Sequence, residues 1–270
     1  MARARASAGQ EATSNSLRAA LAGSSRVDSA TAASVQDPIS FRVVPQVHGA
    51  CRDVLAVLAT NLGDELNATS DNPMVDIASE RVLSNGNFHL MNVALSAESL
   101  NLALAHVGLL SERRCGQMWN SLVTAMGEGF GGEVSPKPPI GDGIPPFLAG
   151  MALRYPAATR YTRLRQLAQP ISLDVPPLDL SVEDHSTNAA EVLWVTDEIV
   201  GIVHEILAVE VLLAFARLRI SPGGSLGART GVVVETVAEE LDGLDDGNLP
   251  DETHVRVSRV LAGLVEEVLG

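Results

Sequence analysis

The segment between Leu90 and Leu122 constrains the fold of this chain more than any other part of its sequence. From Leu90 to Leu110 the only ionisable residues are Glu98 and His106, so a helix through this region is apolar on nearly every side. Such a helix belongs in the centre of a helical bundle or in a subunit interface. Because asparagine and serine side chains recur along it, we predict a buried helix of a soluble protein and not a membrane span.

The composition also favours a helical fold. Aromatic residues make up only 3% of the chain, whereas alanine, leucine and valine are abundant, which favours helices packed through small residues over a β-sandwich. No segment alternates convincingly between polar and apolar residues with a period of two. The sequence therefore predicts an all-α protein, a bundle of long helices joined by irregular polar loops.

Other segments carry the apolar spacing and the boundary signals of helices. They are residues 9–23, a helix that has Pro45 in its first turn and ends near Thr69, residues 190–218, and a final helix with the apolar stripe Val257, Leu261, Leu264 and Val268. Glycine and proline predict irregular loops over 127–146 and 169–186. We treat residues 1–270 as a single helical unit, with an N-terminal helix and linker over 1–35, a core over 36–220 and C-terminal helices over 221–270.

Charge and cysteine content exclude several classes of protein. The net charge of −14 argues against a nucleic-acid partner, because phosphates would be repelled. The chain has only two cysteines, Cys51 and Cys115, so we do not expect a disulfide framework. Because the N-terminus also has no apolar leader, we expect a reducing, cytoplasmic location. No CxxC, HExxH or P-loop is present and no two histidines are spaced i, i+4, so we expect no metal site.

Three polar groups are candidates for chemistry. Arg42 follows Gln36 and Asp37 at a loop–helix junction, where a guanidinium can bind a carboxylate in bidentate fashion or form a structural ion pair with Asp37. Asn87 and Phe88 stand with Asn85 at a predicted helix start, where asparagine also serves as a cap.

The third group is Glu183, Asp184 and His185, which precede a predicted helix. Three consecutive titratable residues can form an acid–base site. Acidic residues are equally favoured in the first turn of a helix by its dipole.

The order of several short blocks carries more information than any one of them. They are GQ (9–10), VQDPISFRVVPQVHGAC (35–51), SDNP (70–73), SNGNFH (84–89), NLALAHVGLLSERR (101–114), PPFL (145–148) and EDH (183–185). In this order and spacing the chain resembles histidine ammonia-lyase and its aromatic amino acid lyase and aminomutase relatives. The resemblance runs from about residue 9 to residue 220 and covers the C-terminal half of that family.

The resemblance implies a fold and a chemistry. Family members are helical homotetramers whose active sites combine residues from more than one subunit, and they eliminate or migrate the amino group of an α-amino acid. Their electrophile, 4-methylideneimidazol-5-one (MIO), forms from an internal Ala-Ser-Gly, which these 270 residues do not contain. The catalytic tyrosine of the family's lid loop also lies outside the part that this chain resembles.

Residue by residue, the resemblance assigns roles within this chain. Gln36 matches a glutamine that lines the active site, and Arg42 matches the arginine that binds the substrate carboxylate. Phe88, with Asn87 beside it, matches the aromatic residue next to the MIO group. Glu183 matches the glutamate near the substrate amine, which takes part in proton transfer or ammonium stabilisation.

Two positions depart from the family pattern. Ile39 stands where relatives commonly carry tyrosine in a QDPY run, and Val182 stands where glutamine often precedes Glu-Asp. The chain therefore retains the carboxylate clamp but lacks part of the acid–base machinery.

These features leave several functions open. The first is a subunit of a split ammonia-lyase or aminomutase, hetero-oligomeric with a companion N-terminal-half polypeptide that supplies MIO. The second is a non-catalytic pseudoenzyme or an assembly subunit, and the third is a truncated gene or a substrate-binding role without elimination.

Overall fold

The computed structural model describes residues 5–27, 35–125, 146–173, 176–220, 223–242 and 252–269. The α-helices in this part of the chain are α1 (Ala8–Leu21), α2 (Ile39–Arg42), α3 (Val44–Leu66), α4 (Met91–Ala125), α5 (Pro146–Leu167), α6 (Ala189–Ile220), α7 (Ala228–Leu241) and α8 (Thr253–Leu269). The strands β1 (Met74–Asp76) and β2 (Arg81–Leu83) form a small antiparallel hairpin. The all-α prediction is confirmed. Apart from Pro146, which begins α5, the loop predicted over 127–146 lies outside the described residues.

Helices α3 to α6 form the central bundle, on which the other helices and the loops pack. Asn61, near the end of α3, donates a hydrogen bond of 3.2 Å to the carbonyl of Asn92 at the start of α4, so these two helices are antiparallel. The start of α4 packs on the start of α6 through Val93 and Val192, and their later parts also pack together, so α4 and α6 run parallel. As the sequence predicts, α4 is a central helix of this bundle.

Three apolar clusters fill the bundle from one end to the other. The first joins α3, α4 and α6 around Leu58 and Val93, and the second joins α4, α5 and α6 around Val107 and Leu164. The third surrounds Cys115 and extends to α7 and α8. Neither cysteine forms a disulfide, and burial raises the pKa of the Cys115 thiol to about 12, so it behaves as a small apolar core residue.

By length and composition alone, α4 and α6 could each cross a membrane. In this structure about half of the most apolar window of each is buried against other helices, as expected of core helices. Other large apolar side chains of the bundle remain exposed, namely Leu55, Val57, Leu95, Leu102 and Trp194.

Helix α1 crosses α3 at a contact between two glycines. A Cβ atom on Gly49 would lie 2.5 Å from the Cα atom and the backbone nitrogen of Gln10, and one on Gly9 would lie 2.1 Å from the Gly49 carbonyl oxygen. Asp53 of α3 secures the same crossing, since its carboxylate accepts hydrogen bonds from the Gly9 amide at 2.7 Å and the Ser7 hydroxyl at 2.9 Å. The GQ block of the sequence is therefore a helix-crossing element.

The crossing makes a specific prediction about stability. We expect Gly49→Ala to lower the free energy of unfolding by about 1–3 kcal/mol, because the added methyl group separates α1 from α3. Gly63 lies in the same helix with nothing within 4 Å of its Cβ position. Gly63→Ala should raise the free energy of unfolding by about 0.5–1 kcal/mol through helix propensity. Urea denaturation of both variants checks this, and equal effects would contradict it.

Candidate functional site

Helix α2 is a single turn that carries three of the predicted site residues. The Phe41 and Arg42 amides both donate to the Pro38 carbonyl, at 3.0 and 3.3 Å. Gln36 precedes the turn, Ile39 begins it with 63% of its surface exposed, and Arg42 ends it, also exposed. So short a helix has little stability of its own and depends on what holds it.

Arg42 is held by the backbone of its own turn. Its Nε donates a 2.7 Å hydrogen bond to the Asp37 carbonyl oxygen, not to the Asp37 carboxylate. The predicted alternative of a structural Arg42–Asp37 ion pair is therefore wrong. Within the described part of the chain no acidic side chain pairs with the guanidinium, so its outer nitrogens keep donors for a carboxylate.

Phe88 and Asn87 lie in a turn between β2 and α4. The Asn85 side chain holds this turn, because it donates to the Asp71 carbonyl at 3.0 Å and accepts from the Asn87 amide at 2.8 Å. Helix α4 begins only at Met91, so Asn85 acts as a turn residue here and the capping alternative does not apply. Asn87 is exposed, and Phe88 leaves 48% of its surface exposed.

Glu183 lies in a tightly turned loop before α6. The three residues 179–181 all have left-handed backbone angles, with φ of 49°, 57° and 67°, which are costly for residues other than glycine. The turn closes with two backbone hydrogen bonds, from the Leu178 amide to the Glu183 carbonyl at 2.7 Å and from the Glu183 amide to the Leu178 carbonyl at 3.3 Å. Since α6 begins at Ala189, the alternative that Glu183 is a first-turn residue is wrong. Its side chain is exposed.

Two histidines bring the Phe88 turn and the Glu183 loop together. The His89 ring lies 5.1 Å from the Phe88 ring and 5.2 Å from the His185 ring, measured between centroids. The rings are tilted against each other by 40° and 34°, and their contacts link a turn before α4 to the loop before α6. Phe88 and Glu183 therefore lie at the same end of the bundle.

Glu98 holds the other side of this loop region. Its carboxylate accepts hydrogen bonds from the Ile171 and Ser172 amides at 2.8 and 2.9 Å and from the Ser172 hydroxyl at 3.1 Å. The Asn188 side chain adds a 3.2 Å hydrogen bond to the Ile171 carbonyl. The acidic residue in the apolar segment thus satisfies backbone donors of the loop that leads to Glu183.

The two groups of site residues do not meet within one chain. Helix α2 is attached to α4 at Arg114, which donates a 3.1 Å hydrogen bond to the Ser40 carbonyl, whereas Phe88 precedes the first residue of α4, Met91. At 1.5 Å of rise per residue, Met91 and Arg114 are about 35 Å apart along the helix. A small amino acid cannot span that distance. The structure therefore brings together Phe88, Asn87 and Glu183, and separately Gln36, Ile39 and Arg42.

Sequence reasoning did not single out Arg114 or its neighbours His48 and Glu210. Burial lowers the pKa of His48 from its ordinary value of 6.5, with Arg114 and Arg52 acting in the same direction and Glu210 in the opposite one. His48 Nε2 is buried with no hydrogen-bond partner among the described residues. The signal that could have found this cluster is the SERR run at residues 111–114, where charges enter an otherwise apolar helix.

The depressed pKa of His48 predicts a pH dependence of stability. The unfolded chain takes up a proton near pH 6.5 while the folded chain takes it up only at lower pH, so stability is lost as the pH falls below about 6.5. We expect His48→Gln to show a smaller loss in the free energy of unfolding between about pH 7 and pH 5 than the parent chain. Denaturant titrations at both pH values measure this, and equal losses would contradict it.

Comparisons with known proteins identify the family of this chain. Residues 1–239 match the family model described as aromatic amino acid lyase. The histidine ammonia-lyase of Caldanaerobacter subterraneus is 29% identical over 97% of this chain and 50% of its own length. The probable histidine ammonia-lyase of Thermoplasma acidophilum is 32% identical over 92% of this chain and 47% of its own length. The chain spans about half the length of the curated relatives it matches.

Solved structures share the fold. The ergothionase of Treponema denticola superposes with a TM-score of 0.82 at 21% identity over 97% of this chain and 50% of its own. The histidine ammonia-lyase of Trypanosoma cruzi gives 0.77 at 24% identity, over 98% of this chain and 48% of its own. The phenylalanine aminomutase of Pantoea agglomerans gives 0.78 at 20% identity, over 97% and 52%.

Proposed function

Because this chain belongs to the aromatic amino acid lyase family, we propose that it supplies two parts of the active site of an amino acid ammonia-lyase or aminomutase. One part is the carboxylate clamp on α2, and the other is the Phe88–Glu183 region. These 270 residues contain no Ala-Ser-Gly, so the MIO group would come from outside them, and we propose that a companion polypeptide supplies it. We call the assembly of both polypeptides the completed complex.

The single observation that carries this proposal is the position and bonding of the Arg42 side chain. It is an exposed guanidinium whose Nε is fixed by the Asp37 carbonyl at 2.7 Å, which leaves its outer nitrogens to form a bidentate pair with a substrate carboxylate. A fixed cation at one end of the site suits an amino acid better than an amine or a neutral molecule. We assign Gln36, which precedes the same turn, the role of tuning the charge of the departing amine.

Phe88 and Glu183 are the residues of this chain that would border the MIO group. MIO, when present, supplies an electrophile for the substrate's amino group. The half-exposed ring of Phe88 is suited to pack beside a planar ring, and the exposed Glu183 carboxylate is suited to accept a proton or stabilise an ammonium group. The loop around Glu183 is fixed through its backbone, and among the described residues no side chain pairs with the carboxylate, which leaves it available to a substrate.

Association is the simplest way to complete both parts. The clamp and the Phe88–Glu183 region lie about 35 Å apart along α4, so each needs residues from another chain. The exposed apolar side chains of the bundle, Leu55, Val57, Leu95, Leu102 and Trp194, support association with further helices. We therefore propose a hetero-oligomeric, tetramer-like bundle.

The experiment that tests this proposal is purification of the chain from its own host, followed by native mass spectrometry and assays of elimination and 2,3-amino migration. L-histidine, L-phenylalanine and L-tyrosine are the substrates to try. We expect a complex with a second polypeptide that contains Ala-Ser-Gly, with activity only when both are present. A homo-oligomer without such a partner and without activity would overturn the split-enzyme proposal.

A second candidate rests on Ile39. This residue is exposed at the start of α2, where the family resemblance implies a tyrosine hydroxyl, and isoleucine has no proton to donate. The second candidate is therefore a pseudoenzyme that stabilises or regulates a related lyase. A completed complex in which Arg42→Ala leaves all activity intact would favour this function.

A further inference from the structure

Arg114 of the SERR run on α4 belongs to a partly buried ion pair that the proposed chemistry does not use. Arg114 is 5% exposed, and it forms a bidentate pair with Glu210 of α6, with Nε–Oε1 and Nη2–Oε2 distances of 2.6 and 2.7 Å. The Ser111 hydroxyl donates a third hydrogen bond to Glu210 at 2.6 Å. Ion pairs removed from water contribute little net stability relative to apolar residues, so stability alone does not account for this pair.

The remaining contact of Arg114 points to that geometry. Its Nη1 donates a 3.1 Å hydrogen bond to the carbonyl oxygen of Ser40, which is the buried residue of α2 at 8% exposure. The last carbonyls of a helix have no intrahelical partner, and in a helix of one turn this affects most of its carbonyls. Arg114 supplies the missing donor, and its own position is set by Glu210.

We propose that Arg114 is a positioning residue for Arg42. Arg114, fixed by Glu210, anchors the Ser40 carbonyl, and Arg42 follows two residues later in the same turn. Of the turn's other residues, Ile39 and Arg42 are exposed and Phe41 leaves 39% of its surface exposed, so Ser40 is the most buried residue of the turn. The inference rests on the proposed function, because it assigns the role of Arg114 through the clamp.

The same SERR run provides a matched control. Glu112, which is 2% exposed, pairs through Oε1 with Nη2 of Arg154 on α5 at 2.5 Å and through Oε2 with Nη1 of Arg113 at 3.0 Å. This second ion pair joins α4 to α5, and none of its described bonds reaches α2. Weakening it perturbs the bundle without removing the anchor of Arg42.

Hydrogen–deuterium exchange of the full chain tests the positioning role directly. Arg114→Lys keeps a positive charge opposite Glu210, but a single ammonium group cannot reproduce the planar fork that bonds both Glu210 oxygens and Ser40. We expect the Phe41, Arg42 and Val43 amides to exchange about 10-fold faster, as for the loss of one charge-assisted hydrogen bond. Arg154→Lys should leave these amides unchanged. Unchanged exchange in Arg114→Lys, or equal acceleration in both variants, would overturn the proposal.

A second variant covers the case in which Arg114→Lys does not fold. Glu210→Gln places an amide NH₂ opposite an Arg114 donor, so Arg114 loses its fixed orientation while the side-chain shape is kept. We expect the Phe41, Arg42 and Val43 amides to exchange faster in this variant as well. Unchanged exchange there would also count against the proposal.

Kinetics in the completed complex separate this inference from the proposed function. With L-histidine as the probe, Arg114→Lys should raise KM about 10-fold with little change in kcat, while Arg154→Lys changes neither. A complex that turns over no amino acid contradicts the proposed function, yet the exchange experiment still decides whether Arg114 orders α2. Faster exchange combined with an unchanged KM would show that α2 is anchored there but is not the clamp.

Discussion

Replacing Arg42 with alanine is expected to raise the KM of the completed complex for its amino acid substrate by about 10- to 100-fold, with a much smaller change in kcat. The expected loss, about 1.5–3 kcal/mol, is that of hydrogen bonds to one charged group. In the proposed clamp the guanidinium contacts the carboxylate in the ground state and in the transition state alike, so its removal is expected to weaken binding of both. Steady-state kinetics over a wide range of substrate concentration measure the effect.

The surroundings of Arg42 allow its removal to be read as a loss of binding. The side chain is exposed and bonds only to a backbone carbonyl in the described part of the chain, so its removal should barely alter the free energy of unfolding. Arg18→Ala is a matched control, because Arg18 is an exposed arginine on α1 whose Nη1 bonds to the Asn15 side chain at 2.6 Å. An unchanged KM for Arg42→Ala, or an equal rise for both variants, would contradict the clamp.

The long helices could be predicted because the spacing of their apolar residues along the sequence indicates which faces are buried. The apolar run through α4 and the stripe of α8 predict elements that the structure places at Met91–Ala125 and Thr253–Leu269. The hairpin was missed because its strands have three residues each and no buried face, so no period of two could appear. Helix α5 was missed because Pro156 lies inside it, and a proline in an apolar segment normally indicates a helix end.

The candidate site could be predicted only where its residues lie close together in the sequence. The turn before α3 and the EDH run carry Arg42 and Glu183, and the family resemblance assigns their roles. The contact between His89 and His185 joins residues far apart in the chain, and the bond from Arg114 to the Ser40 carbonyl depends on the register of packed helices. Pairings of this kind arise from tertiary packing, which one sequence does not specify residue by residue. The structure therefore adds the elements that hold the site.

Replacing Glu183 with glutamine is expected to lower kcat of the completed complex by about 100-fold and to change KM little. The amide keeps the shape of the side chain but cannot accept a proton from, or neutralise, a charged amine. The bonds that hold Glu183 in the structure run through its backbone to Leu178, at 2.7 and 3.3 Å, so the substitution leaves the loop in place. A slower reaction would then report lost chemistry and not a displaced loop.

The neighbouring carboxylate provides the comparison that makes the Glu183 result specific. Asp184 is also exposed in the same loop, and Asp184→Asn removes the same charge one residue away. If the negative charge of the loop as a whole sets kcat, both variants would lower kcat equally, and the effect would become smaller as salt is added. If Glu183 acts on the substrate amine, only Glu183→Gln lowers kcat, and it does so at every salt concentration. Because Arg42→Ala acts on KM and Glu183→Gln on kcat, the two variants together distinguish a binding surface from a working active site.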